Sequence, residues 1–459
     1  MVSLYFFAAN KFKNPVLLLA SIFFYSWGGP KFIFVILATT ALDFYLVRIL
    51  YNSKNASRRR LFLILSLTLN LGLLFYFKYC NFFIDNVNEL CSLFGFETIS
   101  WVKIILPIGI SFYTFESLTY VIDIYRRVHA PLNNFWEYQL YILFFPKLIA
   151  GPIVRYHEIS DQITGRLNNE NTLLVFNGAF RFTVGLAKKV LIANVFAELA
   201  DEVYALPISE LNSSEAWLGS LAYTFQIYFD FSGYSDMAIG LAMIFGFRLP
   251  ENFNNPYLSL SISDFWRRWH MTLGNWMRNY LYIPLGGNKV ETKSRLFFNL
   301  WIVFLLSGLW HGASWAFIFW GAFHGLFLVL ERIGLEKVYS KLPKAINLIA
   351  VFFIINVSWI FFRSETLHDA FLFLGRLFSF DFHWPSFRLD EKRIIFYFLA
   401  FLFVWIWQNR TLESLQQKLL EKNGNQLYYL KLTLTLVLFF LSVSFVVASD
   451  YNPFIYFRF

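Results

Sequence analysis

The sequence predicts an all-α fold, a polytopic bundle of transmembrane helices. Hydrophobic residues make up 57% of the 459 residues and charged residues only 15%, whereas soluble domains carry about 25% charged residues. The hydrophobic residues fall in runs close to the roughly 20 residues that one spanning helix needs. Aromatic residues reach 21%, which suits rings that lie at both membrane–water interfaces. Together these observations exclude an ordinary soluble domain.

Taken in chain order, the apolar runs predict roughly ten to twelve membrane elements. They lie near residues 14–29, 31–50, 61–77, 103–125, 136–152, 173–199, 216–247, 297–330, 344–362, 393–408 and 429–448. The run 136–152 contains Pro146 and Pro152, so we expect a broken or re-entrant element there. The run 297–330 is too long for one span, which predicts two helices or a helix and a re-entrant piece. No repeat or linker divides the chain, so residues 1–459 form one predicted domain.

The formal net charge of +9 arises from short basic clusters between the apolar runs, as in loops that set membrane topology. Lys11 and Lys13 precede the first run and residues 58–60 follow the second, whereas the next loop is acidic. This alternation predicts a cytoplasmic N-terminus and gives no support to nucleic-acid binding. The N-terminal segment lacks the pattern of a cleaved signal peptide, so we expect the first run to remain as an anchor.

Three of the seven histidines, His270, His311 and His324, lie within 55 positions of one another. His311 belongs to the uncharged stretch FLLSGLWHGASWAFIFWGAFHG, where an imidazole is costly unless it faces a bundle interior or a wet cavity. We therefore favour a functional role for His311. For His324, catalysis and a hydrogen bond to a neighbouring helix are equally compatible with the sequence. On one straight helix these two residues would lie about 220° apart, so they need not share a site.

Glycine pairs at G-x-x-x-G spacing bracket two of these histidines. The pairs are Gly308 with Gly312 and Gly321 with Gly325. Because such spacing lets helix backbones approach closely, we expect tight helix packing on both sides of each histidine.

His270 has a different setting, SISDFWRRWHMTLGNWMRNYLYIPLGG, in which Arg267 and Arg268 stand among aromatic residues. Trp and Tyr rings lie at headgroup depth, and Arg side chains extend to the phosphates. The pattern is compatible with an amphipathic helix anchored in the interface. It is equally compatible with a basic, aromatic lip that holds an anionic donor or acceptor.

Further ionisable residues interrupt two apolar segments. Asp230 and Asp236 stand in AYTFQIYFDFSGYSDMAIGLAMIFGF, and Lys147 lies in the broken segment FFPKLIAGPIVRYHEI. Ionisable residues at membrane depth are functional candidates by default. Aspartates that only pair with arginine or cap a helix would give the same pattern.

Several chemistries lack their defining residues in this chain. It contains no G-x-S-x-G, P-loop or H-E-x-x-H motif, and its histidines lack neighbouring ligands at metal-site spacing, so no metal site is predicted. A buried histidine, with a reference pKa of about 6.5, can take a proton from a hydroxyl nucleophile. The candidates therefore indicate chemistry at an alcohol.

Long motifs spread over essentially the whole chain carry a family resemblance. They are LPIGISFYTFESLTYVIDIYR from Leu106, LIAGPIVR from Leu148, YFDFSGYSDMAIG from Tyr228, FWRRWHMTL with YIPLGG around His270, SGLWHGASWAFIFWGAFHG from Ser307, and the terminal PFIYFRF. Through them the sequence resembles the membrane-bound O-acyltransferases and, among these, the alginate O-acetyltransferase subgroup. The opening MVSLYFFAANKFKNP starts inside the first hydrophobic segment of longer relatives, so we expect the helix count to differ from theirs.

The resemblance implies a ring of transmembrane helices around a central catalytic tunnel. It implies that His311 of the W-H-G motif is the essential catalytic residue, that His270 is the second characteristic histidine, and that His324 has a weaker claim. Such enzymes move an acyl group from a cytoplasmic donor such as acetyl-CoA to a hydroxyl on the other face of the membrane. The acceptor is typically an exported polysaccharide such as alginate, often reached through periplasmic partner proteins. We therefore expect a location in a bacterial cytoplasmic (inner) membrane.

On this basis we expect His311 to act as general base, or to orient the acceptor hydroxyl, with His270 completing the tunnel. The charged candidates are expected to neutralise donor phosphates (Arg267, Arg268 and Lys147) or to hold the helices and the tunnel wall (Asp230 and Asp236).

A transporter or flippase is the alternative class, because buried His and Asp and broken helices also mark transport pathways. Transporters commonly show paired halves with matching interruptions. Here the unusual residues concentrate between Asp230 and Gly325, which favours the enzyme. Within the enzyme class, the alternative acceptors are peptidoglycan, cellulose and teichoic acid.

Overall fold

The computed structural model describes residues 1–385, 391, 394, 395, 397–399, 424–448 and 454. These residues form helices and connecting segments and include no strand, which confirms the all-α prediction. Most of the predicted run 393–408 and of the terminal PFIYFRF motif lies outside them. The chain groups into two compact units: unit 1 is Met1–Gly178 with Leu241–Pro250, and unit 2 is Ala179–Gly240 with Glu251–Phe459. Whether they make one domain, as predicted from the sequence, stays a prediction.

Five helices are long and apolar enough to cross a membrane, judged by length and composition within the described residues. They are Phe32–Asn52, Ala56–Leu93, Trp315–Tyr339, Lys344–Arg363 and Tyr428–Ala448. The last of these leaves most of its apolar side chains exposed, as a helix that faces lipid requires. The predicted multi-pass architecture therefore has its spans in both units.

Unit 1 consists of helices and the segments that connect them. Its α-helices are Val2–Phe7, Asn10–Gly28, Phe32–Asn52, Ala56–Leu74, Cys80–Leu93, Ile110–Tyr125, Phe135–Leu143 and Tyr156–Gly165, with a π-helical segment at Phe75–Tyr79 and a 3-10 turn at Arg166–Asn169. Asn55 caps the second of the five spanning helices, because its side-chain oxygen accepts hydrogen bonds from the backbone N–H groups of Ser57 and Arg58 at 2.9 and 3.2 Å. This satisfies two of the four free donors at a helix start.

Two sequence predictions in unit 1 have different outcomes. A continuous span over 103–125 is wrong, because the helix begins only at Ile110. Pro107 and Gly109 precede it, and Gly109 has a φ of +76°, a left-handed conformation that favours glycine. The broken element predicted at 136–152 is confirmed: helix Phe135–Leu143 ends there and a buried, non-helical segment follows.

Unit 2 holds the long helices that carry most of the candidate residues. Its first helix, Thr172–Ala187, begins in unit 1. The segments that follow are Lys188–Ala193 (π), Asn194–Tyr204, Ser213–Ile244, Pro256–Leu258 (3-10), Ile262–Trp266, Met271–Met277, Arg278–Tyr282 (π), Lys293–His311, Trp315–Leu330, Glu331–Leu335 (π), Glu336–Tyr339, Lys344–Arg363, Leu367–Leu377 and Gly424–Ala448.

The predicted division of 297–330 into two helices is confirmed. Helix Lys293–His311 ends at Gly312, and the next helix begins at Trp315 and packs against it. The glycines predicted to allow close packing lie at this contact: a Cβ on Gly308 would stand 3.1 Å from the Cα of Gly321. The turn after His311 thus folds the second helix back along the first.

Candidate active site

The three candidate histidines of unit 2 lie in one aromatic cluster. His270 and His311 have ring centroids 6.4 Å apart. The Trp320 ring lies edge-on to both His311, at 5.2 Å, and His324, at 5.0 Å. The separation of about 220° between His311 and His324 is therefore corrected. It assumed a straight helix, and the break between His311 and Trp315 brings both rings to the same tryptophan.

His311 ends its helix inside this cluster. Its side chain is buried, with 4% of the residue exposed. The rings of Trp310 and Phe362 flank it at centroid distances of 5.0 and 5.2 Å. An imidazole enclosed by aromatic rings and kept from bulk water is suited to exchange a proton with a bound substrate rather than with solvent.

His270 stands in a strained backbone conformation just before helix Met271–Met277. Its φ is +44°, a left-handed value that is uncommon for residues other than glycine and typical of functional positions. Its Nδ1 lies 3.0 Å from the Oδ1 of Asn252, and its Nε2 has no hydrogen-bond partner among the described residues. Burial lowers the pKa of His270, so the imidazole is neutral near pH 7.

His324 is fully buried, and its hydrogen-bond partner is a donor, whereas the partner of His270 is an oxygen. The indole N–H of Trp266 donates to its Nδ1 at 3.3 Å. Because an indole nitrogen is only a donor, Nδ1 of His324 is the acceptor, and the neutral ring carries its proton on Nε2. His324 therefore forms the hydrogen bond to a neighbouring helix that the sequence left open, and Trp266 is the donor.

A cavity of about 370 Å³ opens beside His270. Its wall includes His270, Trp266 and three arginines, Arg267, Arg278 and Arg332. Within the described residues, neither Arg278 nor Arg332 has a carboxylate within salt-bridge distance, and the Arg267 side chain is 72% exposed and 3.7 Å from Asp264. The cavity therefore combines three guanidinium groups, of which only Arg267 is near a carboxylate among the described residues, with a neutral imidazole.

Arg268, a sequence candidate for donor binding, does not line this cavity. Its Nε donates to Asp264 at 3.0 Å, and a guanidinium nitrogen lies 3.5 Å from the backbone oxygen of Asn254. These contacts fix the short helix that precedes His270. The neighbouring Arg267 does line the cavity, and its expected contact with donor phosphates stays a prediction.

Lys147 lies in unit 1, fully buried in the broken segment. Its ammonium forms an ion pair with Glu116, and the Tyr141 hydroxyl donates to the backbone oxygen of Glu116 at 3.1 Å. An ammonium buried in this way is compensated by its own carboxylate. The pairing favours a structural role over the donor contact expected from the sequence.

Asp230 and Asp236 are also paired, within unit 2. Lys189 lies 2.7 Å from Asp230, and Asp236 contacts both Lys188, at 2.7 Å, and Arg181, at 2.9 Å. The sequence left open whether these aspartates pair with basic residues, and the structure shows that they do. Both lysines begin the π-helical segment Lys188–Ala193.

Other residues of the site were missed by the sequence reasoning. Asn252 was not singled out because nothing local links an amide to a histidine 18 positions away. Glu331 is buried and accepts hydrogen bonds from the backbone N–H groups of Ile262, at 2.6 Å, and Ser263, at 3.0 Å. It thereby holds the helix that carries Trp266. A buried Glu at the end of an apolar run was the available signal.

Comparison with known proteins decides the family. The family model described as MBOAT, membrane-bound O-acyltransferase family, matches residues 126–364, a range that includes all three clustered histidines. The chain belongs to this family. The matching range covers the aspartates and the arginine-lined cavity as well.

Relatives agree with this assignment. The chain is similar to a Pseudomonas aeruginosa protein named probable alginate O-acetylase, with 40% identity over 86% of this chain and 75% of the relative. A Pseudomonas putida protein of the same name is 38% identical over 100% of this chain and 97% of the relative. A Helicobacter pylori peptidoglycan O-acetyltransferase is 39% identical over 80% and 75%. The chain is thus a multi-pass membrane O-acyltransferase, as the resemblance predicted.

Proposed function

We propose that the protein transfers an acetyl group from acetyl-CoA across a bacterial inner membrane, for O-acetylation of an exported polysaccharide such as alginate. The observation that carries the proposal is the cluster of His270, His311 and His324 beside an arginine-lined cavity. The names of the Pseudomonas relatives support acetate as the acyl group and alginate as the acceptor. The donor and the direction of transfer are taken from what the family resemblance implies.

His311 is the proposed catalytic base. The acceptor hydroxyl oxygen attacks the thioester carbonyl carbon while its proton passes to the imidazole of His311. The C–S bond then breaks, and the proton moves from the imidazolium to the departing thiolate. The products are an acetyl ester and a free thiol, so neither an oxidant nor a metal is required. A positioned base of this kind contributes about 10²- to 10⁴-fold to the rate.

The arginine-lined cavity is the proposed donor site. Acetyl-CoA carries phosphates at one end and its thioester at the other, so its binding site needs positive charge at a distance from the base. Arg267, Arg278 and Arg332 supply that charge, since guanidinium groups form paired hydrogen bonds with phosphate oxygens. His270 lies in the same wall, with its ring 6.4 Å from that of His311.

The acceptor is the least constrained part of the proposal. Alginate is favoured by the relatives of that name, and peptidoglycan by the Helicobacter relative of similar identity. We propose that periplasmic partner proteins deliver the acetyl group to the polymer. Asp230 and Asp236, tied to basic residues, hold the helices rather than contact either substrate.

Purified protein in liposomes tests the proposal. Acetyl-CoA labelled in its acetyl group is supplied with alginate oligosaccharides or peptidoglycan fragments, with and without the periplasmic partner. The expected result is release of CoA in step with a base-labile acetyl ester on the alginate. Ester formation on peptidoglycan alone would show that peptidoglycan, and not alginate, is the acceptor. Movement of intact polymer without ester formation would favour the transporter class.

A further inference from the structure

Asn252 makes a contact that restricts what His270 can do. Its Oδ1 lies 3.0 Å from Nδ1 of His270, and it also accepts a hydrogen bond from the hydroxyl of Thr272 at 2.8 Å. The Asn252 amide group in turn donates to the hydroxyl of Ser235 at 3.0 Å. Asn252 is buried, with 1% of the residue exposed, so this arrangement is not shared with bulk water.

The orientation of this amide is fixed by its neighbours. The backbone N–H of Thr272, which can only donate, points to the same Asn252 oxygen at 3.4 Å. The atom facing His270 is therefore the carbonyl oxygen, which has no hydrogen to give. Nδ1 of His270 must then be the donor, and in the neutral ring Nε2 carries the lone pair.

We propose that Asn252 is a positioning residue, which holds His270 as the Nδ1–H tautomer so that Nε2 accepts a hydrogen bond from an O–H or N–H group of the substrates. The proposal rests on the proposed acetyl transfer, and it assigns a role to a residue that does not itself touch substrate. The buried Nε2 of His270, which has no hydrogen-bond partner among the described residues, is the position left for that substrate group.

His324 provides an internal contrast. Its Nδ1 is met by the donor Trp266 rather than by an acceptor, so its Nε2 presents a hydrogen instead of a lone pair. Two buried histidines of one cluster are thus held in opposite tautomers by partners that each have a single hydrogen-bonding role. The lone pair of one imidazole can accept from a hydroxyl, whereas the N–H of the other can donate to a carbonyl.

Variants of Asn252 test the proposal in the purified full-length protein. Asn252→Ala removes the acceptor and is expected to lower kcat/KM for acetyl transfer at least about tenfold. Asn252→Asp keeps an oxygen acceptor toward Nδ1 and is expected to restore activity to within about threefold of wild type. Ser235→Ala is the matched control, since it removes another hydrogen bond of the same amide without touching His270.

A double-mutant cycle separates positioning from general support of the fold. If Asn252 acts through His270, Asn252→Ala has no further effect on the residual activity of His270→Ala. Equal losses in both backgrounds, or full activity of Asn252→Ala, would overturn the proposal.

An activity-independent measurement completes the test. Solid-state NMR of protein labelled with ¹⁵N-histidine, with His270→Gln to assign the signal, should show His270 protonated at Nδ1 and not at Nε2. Protonation at Nε2 instead would refute the tautomer assignment. Because this spectrum is recorded on the wild-type protein, the test holds even if the Asn252→Ala variant folds poorly. An inactive wild-type protein with the expected spectrum would instead count against the proposed function alone.

Discussion

Polar side chains are buried in apolar surroundings both around Lys147 in unit 1 and around His311 in unit 2, but the two regions differ in the partners of these side chains. Lys147 is neutralised by Glu116, and elsewhere in unit 1 the carboxylate of Asp43 accepts hydrogen bonds from Ser66 and Asn70. In the histidine cluster, aromatic rings supply most of the contacts. Nε2 of His270 has no hydrogen-bond partner among the described residues.

The difference separates two uses of polarity in a membrane protein. A buried charge with its own counter-charge contributes to a defined fold, and removing one partner is costly. A buried imidazole with one nitrogen satisfied and the other available leaves a hydrogen-bonding position for a ligand. The paired aspartates of unit 2 belong to the first kind, although they lie in the unit that contains the histidines.

His270→Ala is expected to affect activity and leave stability nearly unchanged. The loss of Nε2 should lower kcat/KM for acetyl transfer by about 100-fold, while the thermal unfolding temperature of the purified protein stays near that of wild type. Radiolabelled acetyl transfer and thermal unfolding of the same preparation check this. Near-normal activity of a folded His270→Ala protein would show that His270 is not needed for acetyl transfer.

Lys147→Met should show the reverse pattern. It leaves Glu116 as an uncompensated buried carboxylate, so we expect a loss of about 3–5 kcal/mol in stability with little change in activity per folded molecule. Lys147→Met combined with Glu116→Leu should recover most of the stability. A normal unfolding temperature of Lys147→Met together with a raised KM for acetyl-CoA would show instead that Lys147 contacts the donor.

Arg278→Gln and Arg332→Gln should give smaller and more selective effects. Each removes one charge from the cavity wall, and the loss of one charged hydrogen bond to phosphate corresponds to an increase of about tenfold in KM for acetyl-CoA. Arg268→Gln is the matched control, because Arg268 is bound to Asp264 instead. Equal KM increases for Arg268 and Arg278 variants would argue against a phosphate site in this cavity.

Much of the fold could be read from the sequence, because hydrophobic runs and helix breakers act locally. The division of 297–330 followed from its length and glycines, and the break at 136–152 followed from its prolines. The span 103–125 failed for a local reason too, since Pro107 and Gly109 delay the helix start.

The site was predictable only where a motif or an unusual burial identified single residues. His311 followed from a titratable group in an uncharged stretch and from the W-H-G resemblance. Its proximity to His324 depends on how one turn folds a helix back, and the pairing of Asp236 with Arg181 joins residues 55 positions apart. Such tertiary contacts leave no periodic signal in the sequence, so Asn252 and Arg332 emerged only from the structure.

The proposed role of His311 as the base in acetyl transfer can be tested by comparing two histidine variants of unit 2. His311→Ala and His383→Ala are purified, matched for folded protein, and assayed for acetyl ester formed from labelled acetyl-CoA. His383 has a side chain that is 75% exposed and pairs with Asp381, so its loss should leave activity unchanged. We predict a loss of about 100- to 10,000-fold for His311→Ala alone; ester formation at the wild-type rate by folded His311→Ala protein would contradict this prediction.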